Sequence, residues 1–511
     1  MLTELRELYK LYKIYKKIIQ VKNPTCIVDE HYCQDIKDMV LSGGCIYIKF
    51  AQWIISRFRS ESGPGIEFIV NYFDDIFDNC PFHSLKDTIT MLNKTTFDIL
   101  DFLVPDSLQR LASGSVGQVY RAKLVKPYIV CPKCDTILVF SNPYSEDPVY
   151  DIDMCCKDCD NTPGRHIYDI AIKVKHPDVD KQVQDKIKLF QLLTKFQQIK
   201  WIKDWLSIHM DMEDFITNLT RQTDFKIEFE HNHIFRDNFR DNYLIQFPLA
   251  LEAGRDYLVS EFIDTCDLDT LPDYLQLKTC MNYACMVSQM VIIDNFVHAD
   301  LHHKNWSVKK YTQGDTNTQI VIFDTGICFE SSDIDLTKTI WEAFESTDID
   351  QIMGIMDKMI TGPFTDDVKE YIKDIMEHYR TSNLDITHIM TELNNMLAKY
   401  GCRLTNLSLN ILLLLCLIDT TLKKHNLIGN SKINATLDPK LSPSKSHHNY
   451  LRTKNLDIIA YIKSKPGCYT ALLDYFVDKQ TRLSRTYSAG NMSLFGNNLA
   501  SGLVLDLPPD D

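Results

Sequence analysis

The stretch from residue 293 to 326 constrains this chain more than any other part of it. It carries His298, Asp300 and Asn305 in the pattern H-x-D-x4-N, and an apolar run then leads into Asp324 of a D-x-G sequence. Phosphoryl transfer from ATP needs one carboxylate beside the acceptor hydroxyl, and an Asn plus a second Asp that hold magnesium ions. The spacing therefore predicts Asp300 as the base and Asn305 and Asp324 as metal ligands. A chance meeting in a polar loop is the alternative, because short motifs produce false positives.

Composition sets the class of protein. The chain has 511 residues, a hydrophobic content of 45 % and a net charge of -14. This length suits two or more cores at about 100–200 residues per domain, and the acidic balance argues against a nucleic-acid partner. Sixteen cysteines without a recognisable secretory signal predict a reducing, intracellular compartment. The longest apolar run, residues 411–418, is shorter than the ~20 residues of a transmembrane helix, so none is predicted.

Two stretches upstream resemble the ATP-binding parts of a kinase. Small residues in a turn at 112–117 let the backbone approach phosphates closely. A short apolar strand then carries Lys173, as does the kinase strand whose Lys pairs with the ATP phosphates. The expected nucleotide-binding residues of the turn are Ala112, Gly114, Ser115 and Gly117.

Lys173 needs a carboxylate partner, and Glu228 on a downstream helix is the best candidate, with Glu230 as the near alternative. A solvated helix face would explain either acid equally well. A later strand ends in Glu261 and Ile263, which are expected to form a hinge whose backbone binds adenine. An ordinary strand and turn would have the same sequence.

These parts occur once each and in kinase order, so we predict an α+β, two-lobed protein-kinase-like fold. The predicted units are a helical N-terminal extension (1–100), an N-lobe (101–264), a helical C-lobe (265–480) and a mobile tail (481–511). Within the extension, the helix-like stretch 43–60 places Lys49 and Gln52 on one face. The basic amphipathic stretch 1–20 suits either peripheral contact with a membrane or packing on the domain behind it.

A cysteine-rich insertion separates the Gly-rich turn from Lys173. Residues 125–167 contain the sequences CPKC and CCKDC, close to the spacing of a zinc ribbon. One structural Zn²⁺ is therefore expected on Cys131, Cys134, Cys156 and Cys159, with Cys155 as a substitute ligand. Free or redox-active thiols are the alternative.

Taken together, the motifs resemble the UbiB family of aarF-domain-containing atypical kinases, which are linked to ubiquinone metabolism. The sequence KFAQ at 49–52 resembles the family's K-x-G-Q, and HADLHHKN at 298–305 resembles H-A-D-P-H-P-G-N. The strand AIKVKHP resembles V-A-V-K-V-Q-H-P, and LASGSVGQVYRA resembles the family's Ala-rich loop. The resemblance implies an ATP- and Mg²⁺-dependent kinase or ATPase connected with lipids or quinones. It also implies that the extension folds over the nucleotide with Lys49 and Gln52.

The chain departs from the family pattern at three points. Ala51 replaces the family's Gly, and the sequence QTD at 222–224 stands where Glu-x-Asp is usual. The Gly-rich turn is closer to an ordinary kinase G-x-G-x-x-G than to a run of alanines. The acceptor, a lipid-related small molecule or a protein, therefore stays open.

Two other functions compete with this one. A small-molecule phosphotransferase of the aminoglycoside or choline kinase type has a similar H-x-D-x4-N loop, but those enzymes lack the extension that bears Lys49. A nucleotide-binding scaffold without turnover is the third hypothesis, against which the intact Lys173, Asp300, Asn305 and Asp324 argue.

Overall fold

The computed structural model describes the chain between residues 2 and 424. Besides a few single positions, the ranges left out are 59–63, 94–98, 141–154, 188–216, 311–317, 331–335, 341–348 and 383–391. The predicted tail at 481–511 and the last part of the predicted C-lobe lie outside the described residues.

The N-terminal extension is helical, as its apolar periodicity predicts. Its helices are α1 (Leu2–Gln20), α2 (Glu30–Ser42), α3 (Cys45–Phe58), α4 (Pro64–Tyr72) and α5 (Leu85–Leu92). Asp29 caps the N-terminus of α2 and Ser84 caps that of α5, and each side chain accepts a hydrogen bond from a backbone N–H of the first turn. A short 3₁₀ turn, Asp74–Phe77, follows α4.

Helix α1 uses its apolar face inside the protein. Leu11, Ile14 and Ile18 are fully buried and belong to a hydrophobic core that joins the extension to the N-lobe. Of the two alternatives for this helix, the structure therefore favours packing on the domain behind it. Among the described helices, none combines the length and the apolar character needed to cross a membrane.

The N-lobe is built on an antiparallel sheet. The strands of this part of the chain are, in order, β1 (Gln109–Ser113), β2 (Gly117–Val130), β3 (Ile137–Phe140), β4 (Cys155–Cys156), β5 (Thr162–Pro163), β6 (Arg165–Lys175), β7 (Ile245–Gln246), β8 (Ala250–Ala253) and β9 (Tyr257–Glu261), of which β7 belongs to a sheet of the C-lobe. The spatial order of the main sheet is β1-β2-β6-β9-β8, with β3 on β2, while β4 and β5 pair with each other. Helix α6 (Phe225–Asn238), which Asp224 caps, packs against β8 and β9.

The cysteine-rich insertion is narrower than the predicted 125–167. Strands β2 and β6 stay paired out to Val130 and Arg165, because Tyr128, Val130 and Ile167 bury their side chains in the core of the sheet. The inserted residues are therefore 131–164, and we call this segment the finger.

The C-lobe carries the H-x-D-x4-N and D-x-G motifs in loops between the strands of two small sheets. Helix α7 (Asp273–Ile292) follows the first strand of this lobe, β10. Six further short strands and three further helices follow α7 in the described part of the chain. These elements are β10 (Thr265–Cys266), β11 (Phe296–His298), β12 (Trp306–Lys309), β13 (Ile320–Ile322), β14 (Cys328–Glu330), α8 (Ile349–Met359), β15 (Ile360–Thr361), α9 (Asp366–Ser382), β16 (Arg403–Leu404) and α10 (Asn406–Lys424). Strand β11 pairs with β14, and β12 pairs with β13. The loops between these strands therefore hold residues 299–305 and 323–327 beside each other.

Candidate active site

Lys173 lies at the centre of a cluster of charged side chains. The residues on either side of it in β6, Ile172 and Val174, are fully buried, so strand alternation directs Lys173 to the opposite face of the sheet. Its Nζ lies 2.7 Å from a carboxylate oxygen of Glu228 and 3.2 Å from one of Asp324. Sequence position alone did not separate Glu228 from Glu230, but the structure buries Glu228 and exposes Glu230.

The charges of this cluster depend on one another. Burial disfavours the charge of Lys173, but Asp324 and Glu228 outweigh burial and raise its pKa. Burial raises the pKa of Glu228 to about 7, although Lys173 opposes the rise. Burial also acts against the charge of Asp324, yet Lys173 and Lys49 hold its pKa well below the usual range. The cluster therefore keeps Asp324 ionised and suited to a cation.

The H-x-D-x4-N loop is held by its own hydrogen bonds. His298 is fully buried, and its Nδ1 accepts from the Asp300 backbone N–H at 3.2 Å while Nε2 lies 3.3 Å from the Phe323 carbonyl. Burial lowers the pKa of His298, which favours a neutral ring that donates from Nε2. Asn305 donates from Nδ2 to the Asp300 carbonyl at 2.8 Å, which leaves Oδ1 as the atom that could accept a cation.

The D-T-G loop is tied to helix α6. Asp324 has a φ of 47°, in the left-handed region that Asp tolerates better than most residues. The buried Thr325 donates its hydroxyl to the Glu228 carbonyl at 2.9 Å, and its own carbonyl lies 2.8 Å from His231 Nδ1. The helix that bears Glu228 and the loop that bears Asp324 are therefore locked together.

Lys49 of the extension reaches the predicted base. Its Nζ lies 3.3 Å from Asp300 Oδ2, and both side chains are largely buried. Burial acts to raise the pKa of Asp300, but Lys49, followed by His302, holds it below the usual value. The structure thus brings Lys49 to the site.

Gln52 has a different position. Its amide donates to the Ile76 carbonyl at 2.6 Å, a contact within the extension. The structure therefore joins Gln52 to the 3₁₀ turn and not to Lys173, Asp300 or Asp324.

The 3₁₀ turn of the extension also contacts the H-x-D-x4-N loop. Asp74 lies 2.9 Å from His303 Nε2, and Lys304 lies 3.0 Å from Asp78. The ring of Phe77 packs edge-on against His302, with 4.8 Å between the centroids. These contacts were not foreseen, because residues more than 200 positions apart leave no local signal.

The Gly-rich turn lies between β1 and β2. The Gly114 N–H donates to the Gly117 carbonyl at 2.9 Å, and a Cβ at Gly117 would lie 2.6 Å from the Val174 carbonyl. Gly117 is therefore required for the close approach of β2 to β6. Ala112 is in β1, and Ser115 is buried in the turn. All four predicted residues lie in or beside one tight turn.

The extension supports this turn from behind. Ser113 exchanges backbone hydrogen bonds with Asp78 and Cys80, each at 2.7 Å. His176 Nε2 lies 3.0 Å from the Gly114 carbonyl, and its Nδ1 lies 2.7 Å from Nδ1 of His83. Burial lowers the pKa of His83 to about 4 and also lowers that of His176.

The predicted hinge joins the sheet to the C-lobe. The Glu261 N–H donates to the Leu249 carbonyl at 2.8 Å, and its side chain forms an ion pair with Arg165 at the base of the finger. Ile263 is buried just beyond. Binding of adenine by Glu261 and Ile263 stays a prediction.

The finger brings four cysteines together. The sulfurs of Cys131, Cys134, Cys156 and Cys159 all lie within 4.8 Å of one another. The sulfurs of Cys134 and Cys156 are 3.6 Å apart, far beyond a disulfide bond but near the roughly 3.8 Å between two ligands of a tetrahedral zinc. Cys155 is outside this set.

Each CxxC sequence forms a similar turn. The Lys133 N–H points to Cys131 Sγ at 3.4 Å, and the Asp158 N–H donates to Cys156 Sγ. The residue after the second cysteine is left-handed in both turns, with φ of 60° at Asp135 and 51° at Asp160. Backbone N–H groups directed at sulfur suit thiolate ligands, so the donor set and the turns fit a zinc ion.

Comparison with known proteins places this site in a family. Residues 164–356 match the family model described as the ABC1 atypical kinase-like domain. The matched range contains Lys173, Glu228, Asp300, Asn305 and Asp324.

Three curated proteins are similar to the chain. A Dictyostelium discoideum protein named as a probable serine/threonine-protein kinase is 25 % identical over 308 residues, which cover 58 % of this chain and 37 % of that protein. A mitochondrial ABC1 family protein of Schizosaccharomyces pombe is 27 % identical over 278 residues, 52 % of this chain and 38 % of that protein. A mitochondrial ABC1 family protein of Saccharomyces cerevisiae is 23 % identical over 473 residues, 84 % of this chain and 64 % of that protein. The chain thus spans between about two fifths and two thirds of the length of these relatives.

Proposed function

Because the chain belongs to the ABC1 (UbiB) family of atypical kinase-like proteins, we propose that it binds ATP with Mg²⁺ and transfers or hydrolyses the γ-phosphate. The family resemblance predicted from the sequence is confirmed. The observation that carries the proposal is the cluster in which Lys173 contacts both Glu228 and Asp324, beside the loop of Asp300.

Each residue of this cluster has a role that suits phosphoryl transfer. Lys173, oriented by Glu228, supplies positive charge to the phosphates. The carboxylate of Asp324 and the amide oxygen of Asn305 are the hard oxygen ligands that Mg²⁺ prefers. Asp324 and Asn305 would hold Mg²⁺, which would supply positive charge against the charge that develops on the phosphates. Asp300, whose pKa lies below the usual value, is ionised at neutral pH and able to accept the proton of an attacking hydroxyl.

The ion pair between Lys49 and Asp300 suggests that this activity is restrained. An ion pair with Lys49 occupies the carboxylate of Asp300, and the contacts of Asp74 and Asp78 with the catalytic loop hold the extension there. We infer that the extension limits access to the base and excludes bulky acceptors. This supports a small acceptor, of the lipid- or quinone-related class that the family suggests, or water.

We also propose that the four cysteines of the finger hold one structural Zn²⁺. The close group of sulfurs and the matched turns support it. Elemental analysis of the purified chain should find about one zinc per molecule, and the double variant Cys131→Ser, Cys134→Ser should contain none.

The proposed function is tested by Mg²⁺-dependent phosphate release and autophosphorylation. The parent protein should show one or both, and Asp300→Asn should abolish turnover while leaving ATP affinity largely unchanged, because the base acts on the acceptor. Activity that survives in Asp300→Asn would contradict the assigned role.

A further inference from the structure

The finger contacts the helix that positions the active-site lysine. Asp135, at the tip of the first CxxC turn, forms two hydrogen bonds with Arg236 of α6, at 2.7 and 2.9 Å. The two side chains are 12 % and 15 % exposed, so this bidentate ion pair is largely withdrawn from solvent. Arg240, one turn later, donates to the Lys133 carbonyl of the same turn.

From these contacts we propose that the zinc-loaded finger is a brace for α6 and thereby fixes the Lys173–Glu228 pair. The proposal rests on the zinc site proposed above and adds a function for it. A divalent cation bound in the finger, outside the nucleotide site, would then control nucleotide affinity.

Zinc is expected to determine where Asp135 lies. Its N–H donates to the Cys131 carbonyl at 2.9 Å, and it follows Cys134 directly. A metal that fixes both sulfurs therefore fixes the turn and its carboxylate. Strand β3 pairs with β2 on the two sides of this turn, so zinc would add its restraint to that of the hairpin. The described strands of the second half of the finger, β4 and β5, have only two residues each and pair with each other, so zinc is what would join that half to the turn of Asp135. Coordination of zinc supplies folding energy that such short elements lack.

Helix α6 can transmit this restraint. Arg236 and Glu228 are eight residues apart, about two turns and roughly 12 Å along the helix axis. Arg236 also donates to the Phe247 carbonyl, which precedes β8. The finger thus holds the C-terminal half of α6, while Thr325 contacts the turn that bears Glu228.

The finger leads into a strand that is tied to the predicted hinge. Arg165, which follows the finger and begins β6, forms an ion pair with Glu261 at the end of β9. The finger therefore contacts α6 directly, and its C-terminal end continues into a strand that is held at the hinge.

The test compares six forms of the full chain: the parent, Cys131→Ser with Cys134→Ser, Asp135→Gly, Lys226→Ala, Arg236→Ala, and Asp135→Gly with Arg236→Ala. Glycine suits the left-handed backbone of residue 135, so Asp135→Gly removes the carboxylate and keeps the turn. Lys226 is exposed on α6, so Lys226→Ala is the matched control. The measurements are zinc content, hydrogen exchange of residues 225–238 without nucleotide, and affinity for MgADP.

We expect Asp135→Gly to retain zinc, to exchange faster along the second half of α6 and to bind MgADP about five- to tenfold more weakly, the low end of usual coupling between sites. The double cysteine variant should show the same changes and lose zinc. Lys226→Ala should behave as the parent. Arg236→Ala combined with Asp135→Gly should be no worse than Arg236→Ala alone, because the two residues share one interaction.

Asp135→Gly with full zinc and parent-like exchange would overturn the brace while leaving the zinc site intact. A parent protein that contains no zinc would overturn its metal dependence. A parent that fails to bind MgADP would refute the proposed nucleotide function, and the exchange measurement, made without nucleotide, would still decide whether the finger holds α6.

Discussion

Replacement of Lys49 by Met removes the charge that faces Asp300 and keeps most of the side-chain volume. The two charges are 3.3 Å apart. At an effective dielectric constant of about 20, Coulomb's law gives roughly 5 kcal/mol for such a pair. The side chains are 17 % and 26 % exposed, so desolvation and screening offset much of this attraction. Between the values of exposed and buried pairs, we expect a net coupling of about 1–2 kcal/mol.

This coupling is measured by urea unfolding of the parent, Lys49→Met, Asp300→Asn and the double variant. Lys37→Met is the matched control, because Lys37 forms an ion pair with Asp75 in the same extension, 2.5 Å apart, without contacting Asp300. Loss of Lys49 should also raise the pKa of Asp300 and increase autophosphorylation, since the base is released. Additive changes in the free energy of unfolding, within about 0.5 kcal/mol, would refute the pairing. Unchanged turnover would refute the restraint.

Two further predictions follow from the site. Glu228→Gln should weaken MgATP binding about tenfold, because Lys173 loses its charged partner, whereas Glu230→Gln on the exposed side of the same helix should not; equal effects in a titration would contradict the assignment. The pKa of His83 is lowered to about 4 in the fold, so the unfolded chain takes up the proton first as pH falls below about 6.5. The free energy of unfolding should therefore decrease as the pH falls from about 6.5 to 4, by at most about 3 kcal/mol because the ring is partly exposed. Urea unfolding at several pH values should show a smaller decrease in His83→Gln.

Local spacing explains why much of the site could be predicted. Asp300 and Asn305 lie in the loop that precedes β12. Asp324 follows β13, the strand that pairs with β12, so a short distance along the sequence keeps all three residues close in space. Strand alternation likewise directed Lys173. The choice between Glu228 and Glu230 could not be made, because the sequence does not fix which face of α6 meets the sheet.

Long-range pairs that belong to no recognised motif could not be predicted from the sequence. Asp135 and Arg236 are 101 positions apart, and neither stands in a pattern that differs from a solvated charge. The different contacts of Lys49 and Gln52 could not be predicted either. Both lie on one face of α3, but the Gln52 amide donates to the Ile76 carbonyl in the 3₁₀ turn that follows α4. It is therefore held within the extension and not at the predicted nucleotide-binding groups. Tertiary packing, and not helix periodicity, determines these partners.

The central claim is that Lys173, Glu228 and Asp324 form a Mg²⁺-dependent nucleotide site. Calorimetric titration of ADP into the parent and into Asp324→Asn, with and without Mg²⁺, tests it most directly. We expect Mg²⁺ to strengthen binding to the parent, and Asp324→Asn to lose that gain while keeping the weaker Mg²⁺-free affinity, because one charged oxygen ligand is removed. A parent that binds no ADP, or a variant with the same Mg²⁺ dependence as the parent, would contradict the account.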